Sequence, residues 1–136
     1  MGELSPGLIR MNEQMELRFQ IECLHDVAVV RCSGRLVRGK ALDEFRRRLE
    51  QLEHARVLIV DLSDVEQLDA GGLGALLLVR RWARLRNVQM SLVNPSPFVL
   101  RVLEATRLTS VFQISSLEEA LCILQTPGDW PHFAVA

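Results

Sequence analysis

The sequence predicts an α/β domain built on a mostly parallel sheet, and three features carry that prediction. Apolar runs with the two-residue period of strands alternate with segments of helical period along most of the chain. The segment 57–62 (VLIVDL) reads as one continuous apolar strand, the pattern of a sheet covered on both sides. Helix-start signals then punctuate the chain: Asp69 before Ala-Gly-Gly, Ser96 before Pro97, and Ser116 three residues ahead of Glu119.

The elements follow in order. Residues 1–13 are polar with a Ser-Pro-Gly break and read as a flexible tail. Leu17, Phe19 and Ile21 alternate with Arg18, Gln20 and Glu22, a half-buried strand. His25-Asp26 makes a turn into a second strand over 27–32, which stops at Ser33-Gly34 and completes an N-terminal hairpin. A helix over 40–53 aligns Leu42, Phe45, Leu49 and Leu52, with opposite charges four residues apart on its solvent side. After the strand at 57–62, a helix runs from Asp69 to about Arg86, followed by a strand at 88–93 and a turn at Asn94-Pro95. Ser96-Pro97 opens a third helix that ends near Arg107. A short strand at 111–114 precedes the Ser116–Glu119 capping box of a last helix, ending near Leu124. The expected order is β-β-α-β-α-β-α-β-α, with one domain over 14–125, four helices packed against the sheet, and an irregular tail at 126–136.

Composition narrows the function. A chain of 136 residues, 49% hydrophobic and 24% charged, is long enough to bury a core as one domain. A net charge of −1 argues against a general nucleic-acid binder. A local basic cluster is RRWARLR, 80–86. Cys23, Cys32 and Cys122 form no CxxC pair, and with His25, His54 and His132 show no metal-ligand spacing. They read as structural thiols of a reducing compartment. No apolar signal core opens the chain, and no apolar run approaches the ~20 residues of a membrane span. A cytoplasmic protein without membrane insertion is expected.

Sites in parallel sheets gather where strands end and helices begin, and DLSDVEQLDAGGLGALLLV (61–79) is such a junction. A dinucleotide site needs GxGxxG directly after a strand, and Gly71-Gly72-Leu73-Gly74 has neither that spacing nor that place. A phospho-accepting Asp61 would need further acids for a cation and a lysine for the phosphate. Lys40 is the single lysine, and no acidic pair closes the earlier strands. No Ser/His/Asp or Cys/His set is recognisable. No enzyme activity, cofactor or metal is expected.

The order of elements together with SGRL (33–36), VLIVDLSDVEQLDAGGLGALL (57–77) and VQMSLVNPSPFVLRVLEATRL (88–108) resembles a STAS domain, the fold of bacterial anti-sigma-factor antagonists. The resemblance implies a transcription-regulating, signal-transducing interaction module. In that family a Ser or Thr commonly sits two residues after the Asp, and an anti-sigma kinase phosphorylates it to release the partner. Asp69 is a good N-cap, which puts Gly71 near the second helical position, where N–H groups and the helix dipole favour a phosphate. Gly71 matches that phosphosite but is not phosphorylatable, and Ala70 beside it also lacks a hydroxyl. After SGRL the family often has an acid used against the kinase; here Val37 stands there, followed by Arg38 and Lys40.

The resemblance thus implies a docking surface that has kept its frame and lost its covalent switch. Helical spacing turns Ala75, Leu78, Val79, Trp82, Ala83 and Leu85 toward the sheet and leaves Leu73, Leu77, Arg80 and Arg84 facing solvent. Those four, with Asp69, Ala70 and Gly71 at the rim, form the expected partner surface. The expected partner is an anti-sigma factor, a serine kinase-like protein or another STAS protein. Two other readings stay open: an accessory subunit binding the ATPase of a phospholipid-transporting ABC complex, and a nucleotide-sensing STAS module.

Overall fold

The structure, a computed structural model, describes residues 16–124. The tails expected at 1–13 and 126–136 lie outside the described residues. Strands β1 (Arg18–Leu24) and β2 (Val27–Leu36) form the antiparallel hairpin, with Leu24 opposite Val27 around the His25-Asp26 turn. Strands β3 (Val57–Leu68), β4 (Gln89–Val93) and β5 (Ile114–Ser115) continue the sheet in parallel, in the order β1-β2-β3-β4-β5. Helices α1 (Lys40–Leu49), α2 (Ala70–Leu85), α3 (Pro97–Ala105) and α4 (Leu117–Leu124) alternate with them. The result is a five-stranded mixed sheet with four helices in the expected order.

Each parallel connection steps to the next strand in the same direction. Right-handed crossovers therefore lay α1, α2 and α3 on one face of the sheet. There Ala28 and Val30, Leu58, Val60 and Leu62, and Leu92 meet Phe45 and Leu49 of α1, Leu76 and Val79 of α2, and Val99 and Leu103 of α3. Alternate residues Val57, Ile59 and Val93 turn to the other face and bury against Ala120 and Leu117 of α4. Coverage on both sides is why the first half of β3 is apolar at every position but Asp61.

Several boundaries move. β2 does not stop at Ser33-Gly34 but runs to Leu36, and β3 runs on to Leu68, directly against Asp69. The two stay paired through register shifts between Arg31 and Ser33 and between Gly34 and Arg35. Gly34 supplies a φ of 91°, which a side chain would resist. Beyond Leu62 the buried residues of β3 are Val65 and Leu68, a spacing of three that hides the strand from a two-residue pattern. α1 ends at Leu49 rather than residue 53, because the amides of Gln51 and Leu52 turn back to the carbonyls three residues earlier. The fifth strand begins at Ile114, since Val111 and Phe112 both bond Leu108 in a turn that buries the Phe112 ring. α3 ends at Ala105, ahead of Arg107, whose φ of 60° leaves the helix.

The start of α2 lies hard against the end of β2. A Cβ on Gly72 would overlap the Leu36 carbonyl oxygen and stand 2.8 Å from its carbon, whereas a Cβ on Gly74 would meet nothing within 4 Å. Gly72→Ala should cost about 3 kcal/mol, the upper end of ordinary overpacking. Gly74→Ala, two residues further on and turned away from that contact, should gain about 0.5–1 kcal/mol from helix propensity. Urea unfolding of the two variants checks the sign of each; a neutral Gly72→Ala would refute the contact.

Candidate functional site

Asp69 leaves β3 in an extended conformation and its carboxylate then works on two elements at once. One oxygen accepts the Gly72 N–H at 2.8 Å and caps α2. The other accepts the Arg38 N–H at 3.1 Å and ties down the loop between β2 and α1. The Asp69 N–H donates to the Leu36 carbonyl at 3.4 Å, so both ends of the residue lean on the same chain segment. The Gly72 N–H, outweighing a small opposing effect of burial, and then the Arg38 and Gly71 N–H groups hold the Asp69 carboxyl below the ordinary carboxylate range.

Around this clasp the tip is accessible. Ala70 is exposed at the first position of α2, and Gly71 is half-buried at the second. A side chain at Gly71 would press on the loop, its Cβ 3.0 Å from the Arg38 Cβ and 3.2 Å from an Asp69 oxygen. Arg38, beside it, is exposed, as is Lys40 two residues on, so this loop carries basic side chains. Ser63, on β3, has its hydroxyl and its amide both bonded to one Asp61 oxygen, at 2.8 and 2.9 Å.

Asp69, Ala70 and Gly71 therefore meet at one tip, as the sequence suggested. The helix they open is rotated from its expected setting. Its buried line is Gly72, Ala75, Leu76, Val79 and Ala83. Leu73 and Leu77, expected in solvent, are half-buried and pack against the core, with α1 alongside. Arg80 is half-buried and Arg84 exposed. Leu78 and Leu85, expected against the sheet, are 42% and 74% accessible, and Arg81 is exposed with them. The cause is residue size: Gly72, Ala75 and Ala83 let the helix backbone approach the sheet, and a reading weighted toward bulky residues turned the arc toward Leu78 and Leu85. The Arg38 amide, the second ligand of the Asp69 carboxylate, was invisible to motif reading because a backbone group carries no residue signature.

Burial, with the charge of Asp61 adding to it, pushes the Cys32 thiol up and keeps it protonated. Among the described residues no group of three or more His, Cys, Asp or Glu is placed to hold a metal ion, and no helix is long and apolar enough to cross a membrane.

Removing the clasp should be measurable. Asp69→Ala should lower stability by about 1 kcal/mol near neutral pH, the usual worth of a helix N-cap. The Asp69 carboxyl titrates lower in the folded chain than its ordinary value of 3.8. Its contribution is therefore full above that unfolded value and is lost as pH falls through the folded one. The gap between wild type and variant should close on acidification and not on going alkaline, read from urea midpoints across the pH range.

Comparison with known proteins adds the family. The model of the STAS domain matches residues 18–120. A STAS-domain containing protein of Pseudomonas aeruginosa is 37% identical over 87 residues, covering 63% of this chain and 85% of that protein. Among solved structures, the anti-sigma factor antagonist SpoIIAA in its unphosphorylated form superposes with a TM-score of 0.69 at 23% identity, covering 79% of this chain and 96% of that one. An anti-sigma factor antagonist from Mycobacterium paratuberculosis gives 0.70 at 23% identity, covering 82% and 96%. SLC26A9 gives 0.58 at 17% identity over 83% of this chain and 22% of that much longer one.

Proposed function

The chain belongs to the STAS domain family, and on that footing we propose that it is a non-enzymatic regulatory module of the cytoplasm. It acts by protein–protein contact in the manner of an anti-sigma-factor antagonist, without a covalent phosphate switch. The observation that carries this reading is the tip of α2. The clasp of Asp69 and the tight seat of Gly72 are built as a specific local structure, while Ala70 and Gly71 offer no hydroxyl. Such a surface binds or fails to bind according to partner concentration and competition. The partner on this reading is an anti-sigma factor, a serine kinase-like protein or another STAS protein.

The contact surface follows the rotation of α2. The tip of Asp69, Ala70 and Gly71 continues along the exposed ridge of Leu78, Arg81 and Leu85, with Arg84 on its flank. Leu73, Leu77 and Arg80 form a second, half-buried row toward α1. Apolar area beside arginines is the composition of contact centres. A second reading is an accessory subunit of an ABC transport complex, and the likeness of fold to part of SLC26A9 is compatible with it. There the same surface would seat on a transport protein, with a transporter ATPase as partner, and the protein co-purifying from the native host distinguishes the two.

Leu78→Asp with Arg81→Glu should leave the thermal transition nearly unchanged, since both side chains are exposed. The pair should weaken the co-purified partner at least about tenfold, on the order of 1.4 kcal/mol. Arg47→Glu, exposed on α1, is the control, and calorimetric titration that shows equal loss from both would refute the surface.

A hydroxyl can be restored at the tip. Ala70 already carries a Cβ in open solvent, whereas Gly71 is crowded by Arg38. With a kinase partner, Ala70→Ser should be phosphorylated more readily than Gly71→Ser and the wild type not at all at this tip, as mass spectrometry reads directly. Phosphate on Ser63 of the wild type from its native host would overturn the switchless reading.

A further inference from the structure

The two edges of the sheet are built differently. β5 is two residues long, too short to template another strand. β1 is seven residues long and keeps register with β2 from Arg18 to Leu24 without a bulge or a proline. Every second residue of an antiparallel strand turns its N–H and C=O away from its neighbour, and along β1 no described strand lies there to receive them. Edges are usually blunted by bulges, prolines or charge. Only charge is present here: Arg18 and Glu22, both exposed on the face away from α1 and neither ion-paired among the described residues.

Those charges repel many strands but not a copy of this one. We propose that two chains pair β1 against antiparallel β1 about a two-fold axis normal to the sheet, with Gln20 facing Gln20. Such an axis keeps the helix-covered faces on the same side, so facing residues come from the same face of the strand. Centred on Gln20, the register sets Arg18 opposite Glu22 of the second copy, and by symmetry Glu22 opposite Arg18. On the helix-covered face it sets Phe19 opposite Ile21. Both are half-buried and pack on the core, and the Phe19 ring stands edge-on to Phe45 at 5.3 Å. Opposite charges and aromatic–aliphatic pairs are the favourable cross-strand neighbours. The same register sets Glu16 opposite Leu24. Centring on Phe19 instead sets Glu16 against Glu22, and centring on Ile21 sets Arg18 against Leu24 and Glu22 against Gln20. Of these three registers the one centred on Gln20 alone pairs opposite charges, and it extends the five-stranded sheet to ten strands across the dyad.

Sedimentation equilibrium of the full chain tests this. The wild type should dimerise. Arg18→Glu alone and Glu22→Arg alone each place like charges opposite one another and should weaken the dimer at least tenfold, while the double swap should restore it. In a Cys23→Ser, Cys122→Ser background, Gln20→Cys should oxidise to a covalent dimer. Arg31→Cys, beside Gln20 but one strand further in, should not. A wild type that stays monomeric at every concentration reached overturns the proposal. So do single swaps without effect, a double swap as weak as either single, or equal cross-linking from positions 20 and 31. None of these outcomes bears on the partner surface of α2, which lies on another element.

Discussion

The fold turns on the contact between the backbone of Gly72 and the carbonyl of Leu36. Two polypeptide backbones approach there to a distance that excludes any Cβ. Everything local follows from that approach. α2 begins where the end of β2 stops it, Asp69 is left beside the β2–α1 loop, and its carboxylate finds the Arg38 amide as well as the Gly72 amide. The extended second halves of β2 and β3 serve the same end. Their bulged pairing carries Leu36 and Leu68 far enough along the sheet for both to bury beneath the start of α2. A shorter pair of strands, as periodicity alone suggested, would leave α2 without its seat.

This arrangement separates the frame of the tip from any reactive group on it. Asp69, Gly72 and Leu36 hold the geometry with backbone groups and one carboxylate. None of them needs a hydroxyl at position 70 or 71. A hydroxyl at position 70 would stand in solvent without disturbing the clasp, whereas a side chain at position 71 would have to displace Arg38. The same logic applies to the loop. Arg38 is held through its amide, so its side chain can change sign of charge without disturbing the clasp, and the rim can be acidic in one chain and basic in another.

Legibility in the sequence divides along the same line. Caps were plain, because Asp69, Ser96 and the Ser116–Glu119 box each place an oxygen at a fixed offset from the amides it accepts. The core strands were plain, because Val57 and Ile59 face one helix layer and Leu58 and Val60 another. The second half of β3 was hidden, since bulged pairing replaces alternation by the spacing of Leu62, Val65 and Leu68. The rotation of α2 was hidden for the opposite reason. The residues that fix it, Gly72, Ala75 and Ala83, are the ones with least hydrophobic weight, and closeness of backbone rather than side-chain area decides which way the helix faces. Capping chemistry therefore made the start of α2 legible, and packing, which decides which way the helix faces, did not.

The β1 pairing proposed above would change what the proposed contact surface of α2 can do. A phosphate controls a contact by altering one chain at a time. A two-fold pairing through β1 would instead present two identical tips on one sheet, and a partner with two matching sites would meet the second tip at a high effective concentration. Binding would then depend on the dimer equilibrium, so that occupancy would rise more steeply with the amount of protein than a single tip allows. Abundance would become the controlling variable. That is the kind of control available to a chain whose reactive position is filled by Ala70 and Gly71, and it uses the edge of the sheet that the helices leave open.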